Sequence, residues 1–288
     1  MEFIYFQCCN HWVAARVKTM SIRNMTKLLF LPLCLVAAMI GFLSVPHTVR
    51  AATEATREPG FEWFDRTYTN FLGQMPNYDF SSVYRYGEDD QQELLGFIGN
   101  DFQRFYIHFT SISQSPDNPL VYRVAGKTRV KKNICTFTGT LTHTWAGLWT
   151  DSHEGPPVGS VQAALELFEE KSQPGSGVIR GILRTDFQVN EGGTVGIHEN
   201  SPSESQDFVG TWASYKTGAK KICNFAHDRI RYDGLPEGLW LDQGRADEFM
   251  PKKEYWDKGW KVYVDCLYAT GDLSPVCLYE KEWWKLQK

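Results

Sequence analysis

The 288-residue chain lacks the short motifs that mark most common enzyme classes. It has no Gly-x-Ser-x-Gly elbow, no phosphate-binding loop of the Walker type, no dinucleotide-binding glycine fingerprint and no His-Glu-x-x-His zinc motif. No Cys-x-x-Cys occurs, so a redox motif or zinc ribbon is not supported. These absences favour a binding role over a catalytic one and give no reason to expect a cofactor or a resident metal.

A surplus of positive charge is also missing. Residues 1–51, which we assign below to an export signal, hold five of the 30 basic and one of the 34 acidic residues, so the rest carries 25 against 33, a net charge of −8. Such a surface disfavours nucleic acid and anionic membranes as partners. Aromatic residues are abundant instead, 14% of the chain with ten Trp, and they supply large side chains for a core or a binding surface.

The apolar run Leu28–Leu43 is short for a bilayer span. Basic residues precede it, and Val49 and Ala51 suit the −3 and −1 positions of a cleavage site. We therefore expect an export signal over residues 1–51, a periplasmic or secreted product, and no stable membrane span after cleavage; an uncleaved signal anchor is the alternative. Residues 1–24 fit no part of such a signal and indicate an over-extended start.

Alternating apolar and polar residues predict a β-rich fold. The clearest case is Ile134–Trp145, which puts Cys135, Phe137, Leu141 and Trp145 on one face and five alternate threonines on the other. Asp101–Ser113 and Gly177–Val189 alternate in the same way, while Val161–Glu170 fits a strand or a helix. Further predicted strands are Leu120–Ala125, Thr194–His198, Phe208–Lys216, Lys220–Phe225, Lys261–Tyr268 and Val276–Trp284.

These eight to ten strands predict an all-β fold, an antiparallel up-and-down barrel, with a β-sandwich as the alternative. Phe61–Met75 is amphipathic and predicts a short helix before the sheet. The expected organisation is an export signal at residues 1–51, a leader with this helix at 52–95, and one barrel domain at 96–288.

The pentamer Phe208-Val-Gly-Thr-Trp212 resembles the Gly-x-Trp signature of the calycins, the lipocalin-like barrels. The resemblance implies that Gly210 permits close packing and that Trp212 plugs one end of a barrel. In that family the motif lies on the first strand, whereas here it lies near the seventh. As a whole the chain is similar to uncharacterised exported bacterial proteins, which implies no activity.

Two groups of residues are candidates for ligand binding. Arg104, Tyr106 and His108 share one face of the first long strand, where a cation, a hydroxyl and an imidazole could orient a polar ligand if that face lines a lumen. If Phe105, Ile107 and Phe109 form the core instead, the same three residues lie on an outer surface.

The second group belongs to the long stretch of residues 233–258 and its continuation, which carries Trp240, Tyr255, Trp256 and Trp260 among many charges. Long segments without a strand pattern are often binding loops, and exposed aromatic rings suit sugars or a protein partner. The alternative is that these rings anchor the loop on the barrel.

Metal and carboxylate chemistry find weaker support. His143, Asp151, His153 and Glu154 match no known ligand spacing, so we expect His143 to be hydrogen-bonded inside the sheet and the other three to form a solvated loop. A glycosidase needs two carboxylates flanking a cleft. The spacing of the available acids does not indicate which two would form such a pair. These acids are Glu166, Glu169, Asp186 and Glu199.

Four cysteines follow the export signal, which permits two disulfides in an oxidising compartment. If Lys261–Tyr268 and Val276–Trp284 form a hairpin about Gly271-Asp272, then Cys266 and Cys277 lie opposite each other at a distance that a disulfide tolerates. Pro275 could shift this register. Pairing of Cys135 with Cys223 stays open.

Together these observations predict an exported binding or scaffolding protein with an aromatic-lined barrel mouth or loop. Its expected partner is a small apolar molecule, a glycan or another protein. The alternative is a carbohydrate-active hydrolase that uses a carboxylate pair.

Overall fold

The computed structural model describes only part of the chain, and this part lies within one compact unit, Val49–Lys288. The described residues are 67–85, 94–150, 155–198, 206–227, 230, 232, 234–239, 251–267 and 274–285. The expected export signal and most of the expected leader lie outside them.

The described strands all belong to one antiparallel sheet. They are β1 (Tyr68–Asn70), β2 (Leu95–Ile98), β3 (Gln103–Gln114), β4 (Val121–Val130), β5 (Asn133–Trp149), β6 (Val158–Glu169), β7 (Gly177–Val189), β8 (Val195–Ile197), β9 (Gln206–Ser214) and β10 (Lys220–Ala226). Val161–Glu170, which fitted a strand or a helix, is therefore a strand, and β7 has the predicted bounds.

Eight of these strands close into a ring. Each of β2 to β6 pairs with the next strand in the chain, β7 pairs with β9, β9 with β10, and β10 with β2. The short strands β1 and β8 extend the ends of β5 and β7. A closed meander of this kind leaves no long free edge. The predicted all-β up-and-down barrel is confirmed.

The alternation of side chains along each strand decides which of them fill the interior of the barrel. Phe105 and Ile107 are buried in the interior and Phe109 packs against it, as the core alternative for β3 predicts. The threonine face of β5 points outward and is exposed or half-buried. A bulge between His143 and Trp145 shifts the register, so Trp145, predicted to lie with Leu141, leaves the interior and packs edge-on against Tyr68, ring centroids 5.1 Å apart.

The predicted helix at Phe61–Met75 is wrong where the structure describes it. Residues 61–66 lie outside the described part, Tyr68–Asn70 forms β1, and Leu72–Asn77 is a 3₁₀ helix that contains Pro76. The apolar spacing has another cause: Phe71 and Met75 are buried in the barrel core. A stretch that inserts side chains into a core has the same pattern as one face of a helix.

The two C-terminal strand predictions are also wrong. Residues Trp260–Leu267 form helix α1 and Pro275–Glu282 form helix α2, followed by the 3₁₀ turn Trp283–Lys285. Ser274 caps α2, since its side chain accepts a hydrogen bond from the Cys277 amide (3.2 Å). The barrel thus ends at β10. Residues 251–267 and 274–285, which we call the helical segment or C-terminal segment, cover part of the outer surface of the barrel.

The predicted disulfide is confirmed although its hairpin is absent. Cys266 on α1 and Cys277 on α2 are bonded, with their Cα atoms 5.3 Å apart. Cys135 and Cys223 are buried and are not joined by a disulfide.

Candidate functional site

The C-terminal segment covers the predicted residues of β3. Arg104, Tyr106 and His108 alternate with the buried Phe105 and Ile107 and so face outward. They face neither the lumen nor open water, because the C-terminal segment packs on them. The Tyr106 hydroxyl donates to Glu280 (2.6 Å), and the His108 ring stacks on Trp284 with centroids 4.0 Å apart.

Two arginines lie close to the Tyr106 ring. The Arg129 guanidinium is 3.7 Å from the Tyr106 ring centroid and donates through both terminal nitrogens to Glu280. The Arg104 guanidinium is 4.2 Å from the same centroid and 5.0 Å from that of Trp260. We call these five residues the arginine clasp. It attaches the helical segment to the barrel by ion pairing and ring stacking together.

The surroundings of this contact shift the pKa values of two ionisable groups, Tyr106 and His108. Burial raises the pKa of Tyr106, so it stays a hydrogen-bond donor to Glu280. Burial first, and then the nearby charges of Lys127 and Lys285, lower the pKa of His108 to about 4. His108 is therefore neutral at physiological pH, as its stacking on Trp284 favours.

The predicted aromatic residues divide between anchor and surface. Trp260 is fully buried and its indole donates to the Phe102 carbonyl (2.8 Å), as the anchor alternative predicts. Tyr255 and Trp256 are partly exposed on the 3₁₀ helix Lys253–Lys258. Trp240 lies outside the described residues. Two predicted groups are thus brought together, since Trp260 contacts Arg104.

One barrel mouth is filled by residues 71–84, which we call the plug. Its Phe80 ring lies 5.3 Å from His143 on β5 and 5.0 Å from Phe187 on β7, between centroids. Phe71 also contacts Phe187 (5.6 Å). The plug therefore spans this mouth and lines it with aromatic rings.

Polar groups accompany these rings. The Tyr84 hydroxyl and His143 Nε2 are 2.7 Å apart, and the Tyr122 hydroxyl accepts from the Phe80 amide (2.9 Å). Burial lowers the pKa of His143 to about 3 and raises that of Tyr84, so both are neutral at physiological pH. His143 is a hydrogen-bonded interior histidine, as predicted, and Asp151, His153 and Glu154 lie outside the described residues.

Several polar atoms of the mouth have no hydrogen-bond partner among the residues that the structure describes. They are His143 Nδ1, Thr185 Oγ1 and both Oε1 and Nε2 of Gln206, all in buried residues. Thr185 lies between the inward-facing Leu183 and Phe187, and it pairs across the ladder with Gln206. Buried polar atoms are nearly always hydrogen-bonded, so these unpartnered atoms on the inner faces of β5, β7 and β9 require an explanation.

At the other end of the barrel a buried carboxylate has several hydrogen-bond partners. Glu169 points inward and accepts hydrogen bonds from Thr128 Oγ1, the Gly177 amide (2.7 Å) and Trp212 Nε1 (2.9 Å). Gly210 packs so closely that a Cβ would lie 2.4 Å from the Arg180 carbonyl oxygen. Because this inward carboxylate is already engaged by three donors, we take the plugged mouth as the candidate site.

The predicted carboxylates do not converge. Glu169 is inside the barrel, whereas Glu166 and Asp186 face outward, and Asp186 pairs with Ser160, six residues from Glu166 along β6. At about 3.3 Å per residue this separates them by roughly 20 Å. Asp186 instead accepts from Ser160 (2.6 Å) and pairs with Arg184 (3.2 Å). Glu199 lies outside the described residues.

In the described part of the chain, no group of three or more His, Cys, Asp or Glu side chains is placed to hold a metal ion. No helix of that part is long and apolar enough to cross a bilayer.

Sequence reasoning missed several residues of these sites, among them Arg129, Thr185, Gln206 and Glu280. A signal existed for Thr185, a polar residue at an inward position of an otherwise apolar face, and for Gln206, two residues before the inward Phe208. Arg129 and Glu280 are 151 positions apart, and no local pattern connects residues at that separation.

Comparisons with protein-family models, with curated proteins and with solved structures each find no match for this chain. The calycin resemblance is neither supported nor opposed by them and stays a prediction.

Proposed function

We propose that this protein is an exported binding protein whose plugged barrel mouth holds a small, neutral molecule with hydrogen-bond donor and acceptor groups. The observation that carries the proposal is the group of unpartnered polar atoms on His143, Thr185 and Gln206. These atoms are an imidazole nitrogen, a hydroxyl oxygen, an amide oxygen and an amide nitrogen, on inner faces that are otherwise mostly aromatic and aliphatic. Binding sites commonly combine an apolar lining with a few convergent polar groups.

Charge defines the class of ligand. His143 is neutral because burial lowers its pKa to about 3, and neither Thr185 nor Gln206 carries charge. A charged ligand would lose its hydration without gaining an opposite charge from these three residues, which is costly in an apolar surrounding. A neutral amide or alcohol keeps its hydrogen bonds.

Size follows from packing. Phe105, Phe208 and Phe225 fill the centre of the barrel, and an eight-stranded barrel is just wide enough for its own side chains or one small ligand. A lipid-sized apolar ligand therefore fits the proposal poorly, and we place the ligand between the plug and the inner walls of β5, β7 and β9. Entry requires movement of the plug.

Two measurements test the proposal on the full-length secreted protein. Native mass spectrometry is expected to show an adduct that denaturation releases and that Thr185→Val removes. Thr185→Val is also expected to lower the midpoint of thermal unfolding, because the bound ligand then loses its hydrogen bond to the Thr185 hydroxyl. The same substitution at Thr138, on the exposed face of β5, is the matched control and is expected to change neither.

The opposite thermal result would refute the proposal. If Thr185 Oγ1 has no partner in solution, replacing it with a methyl group of similar shape removes a buried unsatisfied polar group and raises the unfolding midpoint. A lower midpoint without any adduct would assign the site to ordered water and would likewise overturn ligand binding.

A further inference from the structure

A second surface, far along the chain from the mouth residues, has a different chemistry. The indole of Trp256 is partly exposed, and its Nε1 donates to the Pro251 carbonyl (3.1 Å). The Nζ atoms of Lys253 and Lys261 lie 5.6 and 5.2 Å from its ring centroid. We call Trp256, Lys253 and Lys261 the tryptophan patch.

The patch is locally basic on an acidic protein. Residues 251–261 contain four lysines and two acids, whereas residues 52–288 as a whole carry a net charge of −8. Three of these four lysines are exposed, and Lys258 is half-buried and pairs with Asp257 (3.2 Å). This local positive charge favours the approach of an anion to Trp256.

The two ammonium groups of the patch differ in availability. Lys261 Nζ already lies 2.6 Å from Asp265 one turn later on α1. Lys253 forms no ion pair with any residue that the structure describes. A ligand anion on the ring can thus pair with Lys253 directly and with Lys261 by displacing or sharing Asp265. Such exposed pairs are individually weak, so this exchange costs little.

The support beneath the patch is rigid. Trp260 is fully buried in a second apolar cluster with Leu95 and Phe97 of β2, and the disulfide joins α1 to α2. Gly259 ends the 3₁₀ helix of the patch at φ 90°. A ring held on such a base loses little conformational freedom when a ligand stacks on it.

We propose that the tryptophan patch binds an acidic sugar, a uronic-acid residue of a short oligosaccharide. The apolar face of a pyranose ring suits stacking on the indole, and the carboxylate suits the flanking lysines. The negative charge of the remaining surface disfavours a long polyanion, which limits the ligand to a short or terminal unit. This site is separate from the mouth and independent of the function proposed there.

The test is a calorimetric and fluorescence titration of the full-length protein at low ionic strength with trigalacturonic acid as the probe. We expect saturable binding with a change in tryptophan emission, and at least tenfold weaker binding to Trp256→Ala and to the Lys253→Gln, Lys261→Gln pair. Trp256→Phe keeps a ring and is expected to retain part of the affinity. Lys216→Gln, at an exposed lysine in the turn after β9, is the matched control and is expected to bind normally.

The neutral trisaccharide maltotriose separates stacking from charge. Binding of maltotriose as tight as that of trigalacturonic acid, or equal binding by the lysine variants, would overturn the acidic-sugar assignment. Absence of binding at millimolar trigalacturonic acid would overturn the site itself. Thr185→Val is expected to leave this titration unchanged, so failure of the mouth proposal and failure of this one are distinguishable.

Discussion

Glu280 is the residue whose removal we expect to weaken the attachment of the helical segment most. Its carboxylate accepts hydrogen bonds from Arg129 Nη1 (3.1 Å), from Arg129 Nη2 and from the Tyr106 hydroxyl (2.6 Å). The Arg129 side chain is 2% exposed and that of Glu280 is 16% exposed. Glu280→Ala therefore leaves a buried guanidinium and a buried phenol without their acceptor.

The expected cost is about 3 kcal/mol in the free energy of unfolding. Removing one partner of a buried ion pair costs roughly 3–5 kcal/mol. The partial exposure of Glu280 lets water replace some of the lost contacts, which reduces this cost. The Tyr106 and Trp283 rings also stay near the guanidinium, at 3.7 and 5.4 Å, and each such contact retains about 0.5–2 kcal/mol.

The assay is urea unfolding under non-reducing conditions, followed by tryptophan fluorescence and far-ultraviolet circular dichroism. Glu282→Ala is the matched control, since that residue pairs with Lys285 (2.7 Å) at the surface, and we expect it to cost below about 0.5 kcal/mol. The double variant Arg129→Met, Glu280→Leu removes the charge pair together and is expected to recover most of the loss.

Two results would refute this reasoning. If Glu280→Ala costs no more than Glu282→Ala, then Arg129 is not a buried charge that depends on Glu280. If the double variant is no more stable than Glu280→Ala, then the loss comes from packing of α2 and not from an uncompensated charge.

Two further predictions concern backbone and pH. Gly259→Ala is expected to lower the free energy of unfolding by about 1–3 kcal/mol, because Gly259 adopts φ 90° and a Cβ would lie 3.0 Å from Cβ of Arg104. Thermal unfolding compares this variant with the control Gly73→Ala, where nothing lies within 4 Å of the added Cβ. Equal effects of the two substitutions would contradict the prediction. Burial lowers the pKa of His143 to about 3, so between pH 6.5 and pH 3 the unfolded chain binds a proton that the folded chain does not, and stability falls with falling pH by ~1.4 kcal/mol per unit. Urea unfolding at pH 7 and pH 4 is expected to show a smaller loss for His143→Gln, and an unchanged loss would contradict this assignment.

The barrel could be predicted from sequence because its strands are long and alternate cleanly. β5 and β7 each present a polar face and an apolar face over more than ten residues, and a period of two has no other common interpretation at that length. The C-terminal strands failed for the opposite reason. Trp260–Leu267 spans two helical turns, too short for a period of two to be distinguished from one of 3.6.

The Cys266–Cys277 disulfide is predicted from a hairpin, but the two cysteines lie on helices. The prediction is correct for another reason. Cys266 and Cys277 flank a short connection, and any two elements joined by a short connection tend to pack side by side. Ser274 and Pro275 were available as a helix start signal, cap followed by proline at the first position. The same two residues are also common in turns, and from the sequence alone they are interpreted as part of a hairpin turn.

The face of β3 shows what a single strand cannot reveal. Alternation correctly separated Phe105 and Ile107 from Arg104, Tyr106 and His108. For the second set it predicted only two environments, the lumen of the barrel or an outer surface exposed to water. A third outcome, burial under a distant segment, depends on Glu280 and Trp284, far along the chain. Long-range packing of this kind leaves no periodic trace in either partner.

The closure of the ring has a consequence for how the protein is made. β2 forms its ladder with β10, the last strand of the meander, so the joint cannot form until nearly the whole barrel has been synthesised. Leu95 and Phe97 of β2 and Ala226 of β10 then contribute to the cluster that Trp260 covers. The helical segment therefore emerges after β10 and covers the joint between β2 and β10. A chain that ends after Ala226 would have every strand of the ring but an unprotected seam, and we expect this seam to be the place where a nascent or nicked molecule opens first.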